Sequence, residues 1–232
     1  MKIDKNFLNV LNSNSEKSSP QKILNDSITS LFKGKLAYVC SFGTESAIIL
    51  HMISKIDKNI PIILLNTNFL FDETITYRDY LLKKFKLTNY IEAVPDEEDL
   101  KQKDSNDKLW KENPDLCCNL RKVLPLQKKL KFYDAWISGR KSYQEGERKK
   151  IKVFENLNNK IVVNPLANSN KVFVDQYFRK NKIKRHPLFE KGYLSIGCVH
   201  CTVKALNSSD PRSGRWSNKT KTECGIHYNL DK

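Results

Sequence analysis

Residues 36–50 read LAYVCSFGTESAIIL, and the change of period inside this stretch decides the fold. The run LAYVCSF, Leu36 to Phe42, is almost continuously apolar, as a strand buried on both faces is. The following GTESAIILHMISKI spaces its apolar residues as a helix does. At the junction stand Ser41, Phe42, Gly43 and Thr44. Free backbone N–H groups at such a helix start suit a phosphate or sulfate. An ordinary strand-to-helix turn with a small-residue cap has the same composition, and the lysine of a Walker loop is absent.

Working outward, IPIILLN (Ile60 to Asn66) predicts a second buried strand and FDETITYRDYLLKKF a helix. TNYIEAV predicts a third, weaker strand, followed by the acidic stretch DEEDLKQKDS. DLCCNLRKVLPLQKKL predicts a helix kinked or interrupted at Pro125. YDAWISG (Tyr133 to Gly139) and KIVVNPL (Lys160 to Leu166) are the fourth and fifth strands, with a helix over VFVDQYFRKNKI. This alternation predicts a single α/β domain with a mainly parallel sheet. Ligands of such sheets bind at the carboxyl ends of the strands. Ser41 to Glu45, Asn66 to Asn68 and Ser138 to Arg140 are thereby expected around one crevice. Residues 1–20 read as a loose N-terminal segment, 21–206 as the α/β domain and 207–232 as a flexible tail.

The 232 residues carry 41 Lys plus Arg against 26 Asp plus Glu, a net charge of +15. A basic chain is often a polyanion binder. Here 33 of the cations are Lys, spread over the whole length of a chain also rich in Asn and Ile, which reads as compositional background. Hydrophobic residues make up 39%, enough for a core, so wholesale disorder is not expected. Neither a membrane-spanning run nor an export signal is read, so the expected compartment is the cytoplasm.

Six cysteines without an export signal argue against a disulfide framework. Cys117–Cys118 and Cys198-Val199-His200-Cys201 supply four thiolates for zinc or an iron–sulfur cluster, thiol redox being a further reading. Adjacent cysteines on a helix point about 100° apart, which suits a wider cluster better than one small ion. His200 is expected to be packed or solvated rather than a ligand, and Cys40 structural. Arg121 and Lys122 each follow one of the vicinal cysteines by four residues and share its helix face. They could offset cluster charge and reach an anion, or merely line a solvated face. Five of the 8 arginines, Arg121, Arg140, Arg148, Arg212 and Arg215, fall in three motifs, and arginine is the bidentate partner of phosphate and sulfate. Cys224 lies in Glu223-Cys224-Gly225-Ile226-His227, as a candidate nucleophile or an accidental exposed thiol.

Together SFGTES, LNTNFLFDET, CCNLRKVLPL, WISGRKSYQ with Arg148, VNPL, HPLFEKGYLSIGCVHC, DPRSGRW and ECGIH resemble the assimilatory sulfonucleotide reductases, specifically the iron–sulfur adenylyl-sulfate (APS) reductases. The resemblance implies a PP-loop nucleotide-binding domain and a [4Fe–4S] cluster on Cys117, Cys118, Cys198 and Cys201. It implies Cys224 as nucleophile on a swinging tail, with Lys122 and His227 as further catalytic residues. Substrate binding is expected from Ser41, Phe42, Gly43, Thr44, Asn66, Arg121, Ser138, Gly139, Arg140, Gln144, Arg148, Arg212 and Arg215. The implied reaction takes APS to sulfite and AMP through a Cys224 thiosulfonate, in sulfate assimilation and cysteine biosynthesis. Thioredoxin or a glutaredoxin-like dithiol is the implied reductant, and a homo-oligomer the state the family often adopts.

This sequence departs from the family pattern at Ser46, where an acidic residue is usual, and at Asn66 and Asn68, which replace Asp and Gly. Lys141 and Tyr143 loosen the arginine-rich segment. The alternative substrate is the 3′-phosphorylated PAPS; PAPS reductases generally lack the four cluster cysteines present here. A PP-loop tRNA-thiolating enzyme would need an SGGxDS-type loop, which SFGTES is not. A zinc-stabilised nucleic-acid-binding protein is the non-enzymatic alternative. No nucleic-acid or membrane partner is expected.

Overall fold

The computed structural model describes residues 4–144, 146–207, 209–217 and 221–227. The chain opens with α1 (Lys5–Ser15), capped by the Asp4 side chain, and α2 (Pro20–Asp26), capped by Ser19. Next come β1 (Leu36–Val39), α3 (Ser46–Ser54), β2 (Ile62–Leu65), α4 (Asp72–Phe85) and β3 (Tyr90–Ala93). Short helices α5 (Glu97–Lys103), α6 (Leu109–Glu112), α7 (Pro114–Cys118) and α8 (Leu124–Leu130) lead to β4 (Ala135–Ile137). A hairpin of β5 (Phe154–Leu157) and β6 (Lys160–Val163), then α9 (Lys171–Lys180), completes the regular structure. No helix among the described residues is long and apolar enough to cross a membrane.

The sheet order is β3-β2-β1-β4-β6-β5, parallel except for the β5–β6 pair. Successive strand residues feed opposite faces, because the side-chain period is two. Leu36, Tyr38, Ile62, Leu64, Ala135 and Ile137 pack with α3 on one face. Ala37, Val39, Ile63, Leu65 and Trp136 pack with Leu126 and Leu130 of α8 on the other. Both faces are covered, which is why the strands read as unbroken apolar runs. The order reverses between β1 and β4, so the chain leaves their carboxyl ends in opposite directions and opens a crevice there.

Four expectations change. Residues 5–15 of the supposed loose segment form α1, which buries Leu11 and ties to β5 through Asn12: its side-chain amide donates to Phe154 O and its carbonyl accepts from Phe154 N. A sixth strand, β5, joins the five expected. Its turn, Asn158-Asn159, has φ of 51° and 57°, the double left-handed geometry of a two-residue hairpin, which Asn tolerates. Pro125 does not break its helix. It sits in the first turn of α8, and a π-helical turn over Asn119–Val123 precedes it. The wider turn accommodates a residue that has no N–H and a ring that clashes with a regular preceding turn. Finally, residues 221–227 of the tail lie docked on the domain: Glu223 is buried and Ile226 packs against the α8 face of the sheet. Of the two end segments, residues 1–3, 208, 218–220 and 228–232 lie outside the described residues.

Candidate active site

The crevice at the carboxyl ends of β1 and β4 is lined by Ser41, Gly43 and Thr44 from the loop after β1. Ser41 Oγ accepts the Gly43 N–H at 3.4 Å and lies 3.4 Å from Ser46 Oγ. Ser46, where an acid is usual, thus serves as a neutral brace of the loop. Phe42 is bent to φ 48°, rare for a bulky residue and a sign of a loop held by its surroundings. Its side chain is fully buried against Tyr90 and contributes to the core, not to the crevice wall. Its N–H donates to Cys40 Sγ at 3.4 Å. Burial pushes the Cys40 thiol up to about 12, so it stays protonated beneath the loop.

Asn66 does not line the crevice either. Its amide donates to Glu92 Oε1 at 3.2 Å, and its carbonyl accepts from the Asn68 N–H at 3.1 Å. The Phe42 side chain meets Tyr90 of β3 and the Asn66 side chain meets Glu92 of β3, so neither is part of the crevice wall.

The segment after β4 supplies Ser138, Gly139, Arg140, Gln144 and Arg148 to the crevice, and Lys141 with them. Its cations are matched by carboxylates. Arg140 pairs with Glu155, Lys141 with Glu45 at 2.5 Å, and Arg148 with Glu223. Glu45 also accepts from Tyr143 and, at 3.2 Å, from Gln144. Burial lowers the affinity of Lys141 for its proton, against the pull of Glu45.

From the C-terminal stretch come Arg212, Arg215, Trp216, Glu223, Cys224 and His227. The Trp216 ring carries both guanidinium groups, Arg215 at 4.3 Å and Arg212 at 5.7 Å from its centroid. Burial, reinforced by Arg148, brings Arg212 down to about 10. His227 stacks on Trp136, with ring centroids 5.4 Å apart and planes 20° from parallel. Burial holds it well below the usual histidine range, helped by Arg140, Arg148 and Arg212, so it is neutral. A neutral His227 offers no charge to the Cys224 thiolate; the cations that act on that sulfur are Lys122 and Arg212.

Six buried side-chain polar atoms lack a hydrogen-bond partner among the described residues, and four of them belong to crevice residues: Thr44 Oγ1, Arg140 Nε, Trp216 Nε1 and His227 Nδ1. Buried polar atoms are nearly always paired, so their concentration here marks a surface made for a polar ligand.

A second, closed cavity lies behind the first. Cys117, Cys118, Cys198 and Cys201 all line it, with Thr67, Phe69, Trp110, Arg121 and Lys122. The 196–201 loop is held there by a bridge between Leu70 and Cys198 and by the Val199 N–H, which donates to Phe69 O at 2.8 Å. Burial and the neighbouring thiols push Cys117 up to about 12. Cys198 goes the other way: burial opposes ionisation, but Lys122, the Thr67 hydroxyl 3.2 Å away and Arg215 outweigh it. No three His, Cys, Asp or Glu side chains among the described residues converge as the shell of a single ion. The four cysteines line one cavity, and soft thiolate donors are the chemistry of iron–sulfur ligation. Burial of Lys122 disfavours its charge, yet the neighbouring sulfurs of Cys198, Cys224 and Cys118 outweigh it and raise its pKa. Lys122 and Cys198 line both cavities.

Arg121 belongs with the cysteines and not with the crevice. Its guanidinium is buried, paired with Asp104 at 2.6 Å and Asp107 at 2.5 Å, and lies over Phe69. His200 is exposed, with its ring stacked 4.2 Å from Trp110. The sequence reading assigned no role to Glu45, Glu155, Glu223, Trp136 or Trp216. Glu45, Trp136, Trp216 and Glu223 stood inside quoted motifs; no local pattern marks Glu155.

The chain is similar to known proteins. The family described as the phosphoadenosine phosphosulfate reductase domain matches residues 35–204. An adenosine 5′-phosphosulfate reductase of Mesorhizobium japonicum is 42% identical over 208 residues, covering 90% of this chain and 82% of the relative. One from Bacillus thuringiensis is 40% identical over 204 residues, 85% of this chain and 86% of the relative. The crystal structure of phosphoadenylyl-sulfate reductase from Candida auris, a phosphate complex, superposes with a TM-score of 0.72 at 28% identity, over 88% of this chain and 99% of that one. Candida glabrata FMN adenylyltransferase shares the fold alone, with a TM-score of 0.58 at 12% identity over 81% of this chain and 62% of that one. With a matched domain spanning the loop after β1, the segment after β4 and the four cysteines Cys117, Cys118, Cys198 and Cys201, the chain belongs to the phosphoadenosine phosphosulfate reductase family.

Proposed function

We propose that this protein reduces adenosine 5′-phosphosulfate to sulfite and AMP in sulfate assimilation, with Cys224 as the nucleophile and a thioredoxin-type dithiol as reductant. The observation that carries the reading is the position of Cys224: the thiol lines the same crevice as the loop after β1, Lys122, Arg212 and Arg215. The relatives named adenosine 5′-phosphosulfate reductase support APS as the substrate.

The chemistry follows from charge and position. The Ser41–Thr44 loop and Ser138–Gly139 receive the nucleotide, and Lys122 and Arg215 hold the phosphosulfate oxygens. The Cys224 thiolate attacks the sulfur; an S–S bond forms as the S–O bond to phosphate breaks, and AMP leaves with the electron pair. Fixed cations stabilise the charge gathering on the departing phosphate, and docking of the tail removes the cost of bringing the thiolate to the sulfur. Cys224 then carries –SO₃⁻. A thiolate of the dithiol attacks Cys224 Sγ, sulfite leaves with the S–S electron pair, and the second thiol resolves the mixed disulfide to restore Cys224. The exchange requires an exposed sulfur, so the tail undocks between the two steps.

Cys117, Cys118, Cys198 and Cys201, which line one cavity, would hold a [4Fe–4S] cluster. Bound there, it would supply structure and a local electrostatic field, which Lys122 transmits to the crevice. Six cysteines with no disulfide among the described residues suit a reducing compartment such as the cytoplasm. The test is sulfite release from APS and from PAPS with thioredoxin, for wild type and Cys224→Ser. The expected result is sulfite from APS with wild type and none with the variant. Undiminished release by Cys224→Ser overturns the assignment.

A further inference from the structure

The residue before the thiol, Glu223, is a buried charge, 5% exposed. Arg148 grips both carboxylate oxygens, Nε donating to Oε1 and Nη2 to Oε2 at 2.9 Å. Arg212 Nη2 lies 3.3 Å from Oε2 and also donates to the Thr222 carbonyl at 2.6 Å. Arg148 is itself braced by the Gln144 side chain. On the other side of Cys224 the chain is held by Gly225 and His227. A Cβ at Gly225 would approach Val123 Cγ2 to 3.1 Å, and His227 stacks on Trp136. Cys224 is therefore bracketed by an ion-pair anchor and a ring-stacking anchor.

We propose that Glu223 is the positioning residue that seats Cys224 in the crevice, by clamping the tail to Arg148 and Arg212. The inference rests on Cys224 being the nucleophile. It changes the work of two arginines: while the tail is docked they hold the enzyme's own carboxylate, and the substrate's charge falls to other groups. The division of cations fits this. Arg140, Lys141, Arg148 and Arg212 each pair with a carboxylate, whereas no ion pair among the described residues involves Lys122 or Arg215. Those two suffice for the two negative charges of a phosphosulfate. Arg212 also reaches the tail backbone, which a carboxylate merely standing in for substrate would not require. Without Glu223, two guanidinium groups whose side chains are only 13% exposed would lack their shared counter-charge, so the docked tail would be disfavoured.

The test compares wild type, Glu223→Gln and Glu223→Asp as cluster-containing proteins. One measurement is the rate at which iodoacetamide alkylates Cys224, read by peptide mass spectrometry. The other is kcat and KM for APS. Glu223→Gln is expected to raise the alkylation rate and lower kcat by about tenfold each, the equivalent of ~1.4 kcal/mol, with KM and iron content near wild type. Glu223→Asp, which keeps the charge, should recover part of both. An unchanged alkylation rate or an unchanged kcat overturns the proposal. Tighter APS binding at unchanged kcat would assign the carboxylate to occupying the substrate's anion site instead. The alkylation arm does not depend on what Cys224 does: if Cys224→Ser keeps full sulfite release, the nucleophile assignment fails while the clamp is still read.

Discussion

Arg121 and Asp104 form a buried ion pair, with Nη2 and Nε 2.6 and 3.1 Å from Oδ2 and side-chain exposures of 2% and 0%. The other oxygen of Asp104 accepts the Leu109 N–H at 2.8 Å, and Arg121 Nη1 donates to Thr67 O at 3.1 Å. One arginine thus ties the wall of the cysteine cavity to the start of α6 and to the chain after β2. Truncating it strands a buried carboxylate, which costs about 3–5 kcal/mol. Arg121→Leu should therefore lower the melting temperature by roughly 10 °C. Arg121→Lys should do nearly as badly, because an ammonium cannot reproduce the forked contacts. In protein that remains folded, KM for APS should change little; a large rise in KM at wild-type stability would restore Arg121 to the substrate site.

Lys122, one residue on, should behave in the opposite manner. Lys122→Ala is expected to keep the fold while losing about 10²-fold or more in kcat/KM, the scale of removing one fixed charge or donor from a developing anion. Steady-state sulfite release together with circular dichroism checks this. Unchanged turnover removes Lys122 from the mechanism.

Two glycines separate support of Arg215 from support of the backbone. A Cβ on Gly197 would come within 2.4 Å of Arg215 Nη2, the free end of a flexible side chain. Gly197→Ala should displace that guanidinium, raising KM for APS by about tenfold, or ~1.4 kcal/mol of lost binding, with little loss of stability. A Cβ on Gly214 would come within 2.3 Å of the Val203 carbonyl, which is backbone. Gly214→Ala should lower the melting temperature as well. Equal effects on KM and melting temperature in the two variants would refute this distinction.

His186 gives the fold a pH dependence. Its Nδ1 accepts the Leu188 N–H at 3.1 Å, and its Nε2 lies 3.1 Å from Thr74 Oγ1, so the neutral ring is the one that fits. Burial brings its pKa from 6.5 to about 4. Because the folded value lies below the unfolded one, the unfolded chain binds more protons between them. The contribution to stability is complete above pH 6.5 and is lost as the pH falls towards 4. Urea denaturation at pH 7 and pH 5 should show this loss. His186→Asn, which keeps an acceptor for Leu188 but does not titrate, should flatten the slope; an equal slope in the variant would exclude His186 as its source.

Much of the architecture was legible along the chain because it depends on local periodicity. LAYVCSF followed by GTESAIIL carries a strand, a turn and a helix within fifteen residues, and the repeated alternation implies a parallel sheet. The hairpin strand β5 escaped because FENL mixes polar and apolar residues on an edge, although Asn158-Asn159 was a turn signal in plain view. Helix α1 escaped because its apolar face is sparse; Leu11 is its only buried residue.

The sequence by itself determined which side chains were available for the chemistry: four cysteines in two pairs, Lys122, the tail arginines and Cys224. Those assignments rest on spacing within motifs, and spacing is local. Only the tertiary structure decided which cations are spent on the enzyme's own carboxylates. Arg148 and Glu223 are 75 residues apart, and Tyr143 and Glu45 are 98 apart. Arg121 and Lys122, adjacent in sequence, part company because one side chain turns to buried aspartates and the other faces both cavities. A charge acquires its role from the partner that neutralises it, and such partners are chosen by packing across the sheet, which no periodicity records.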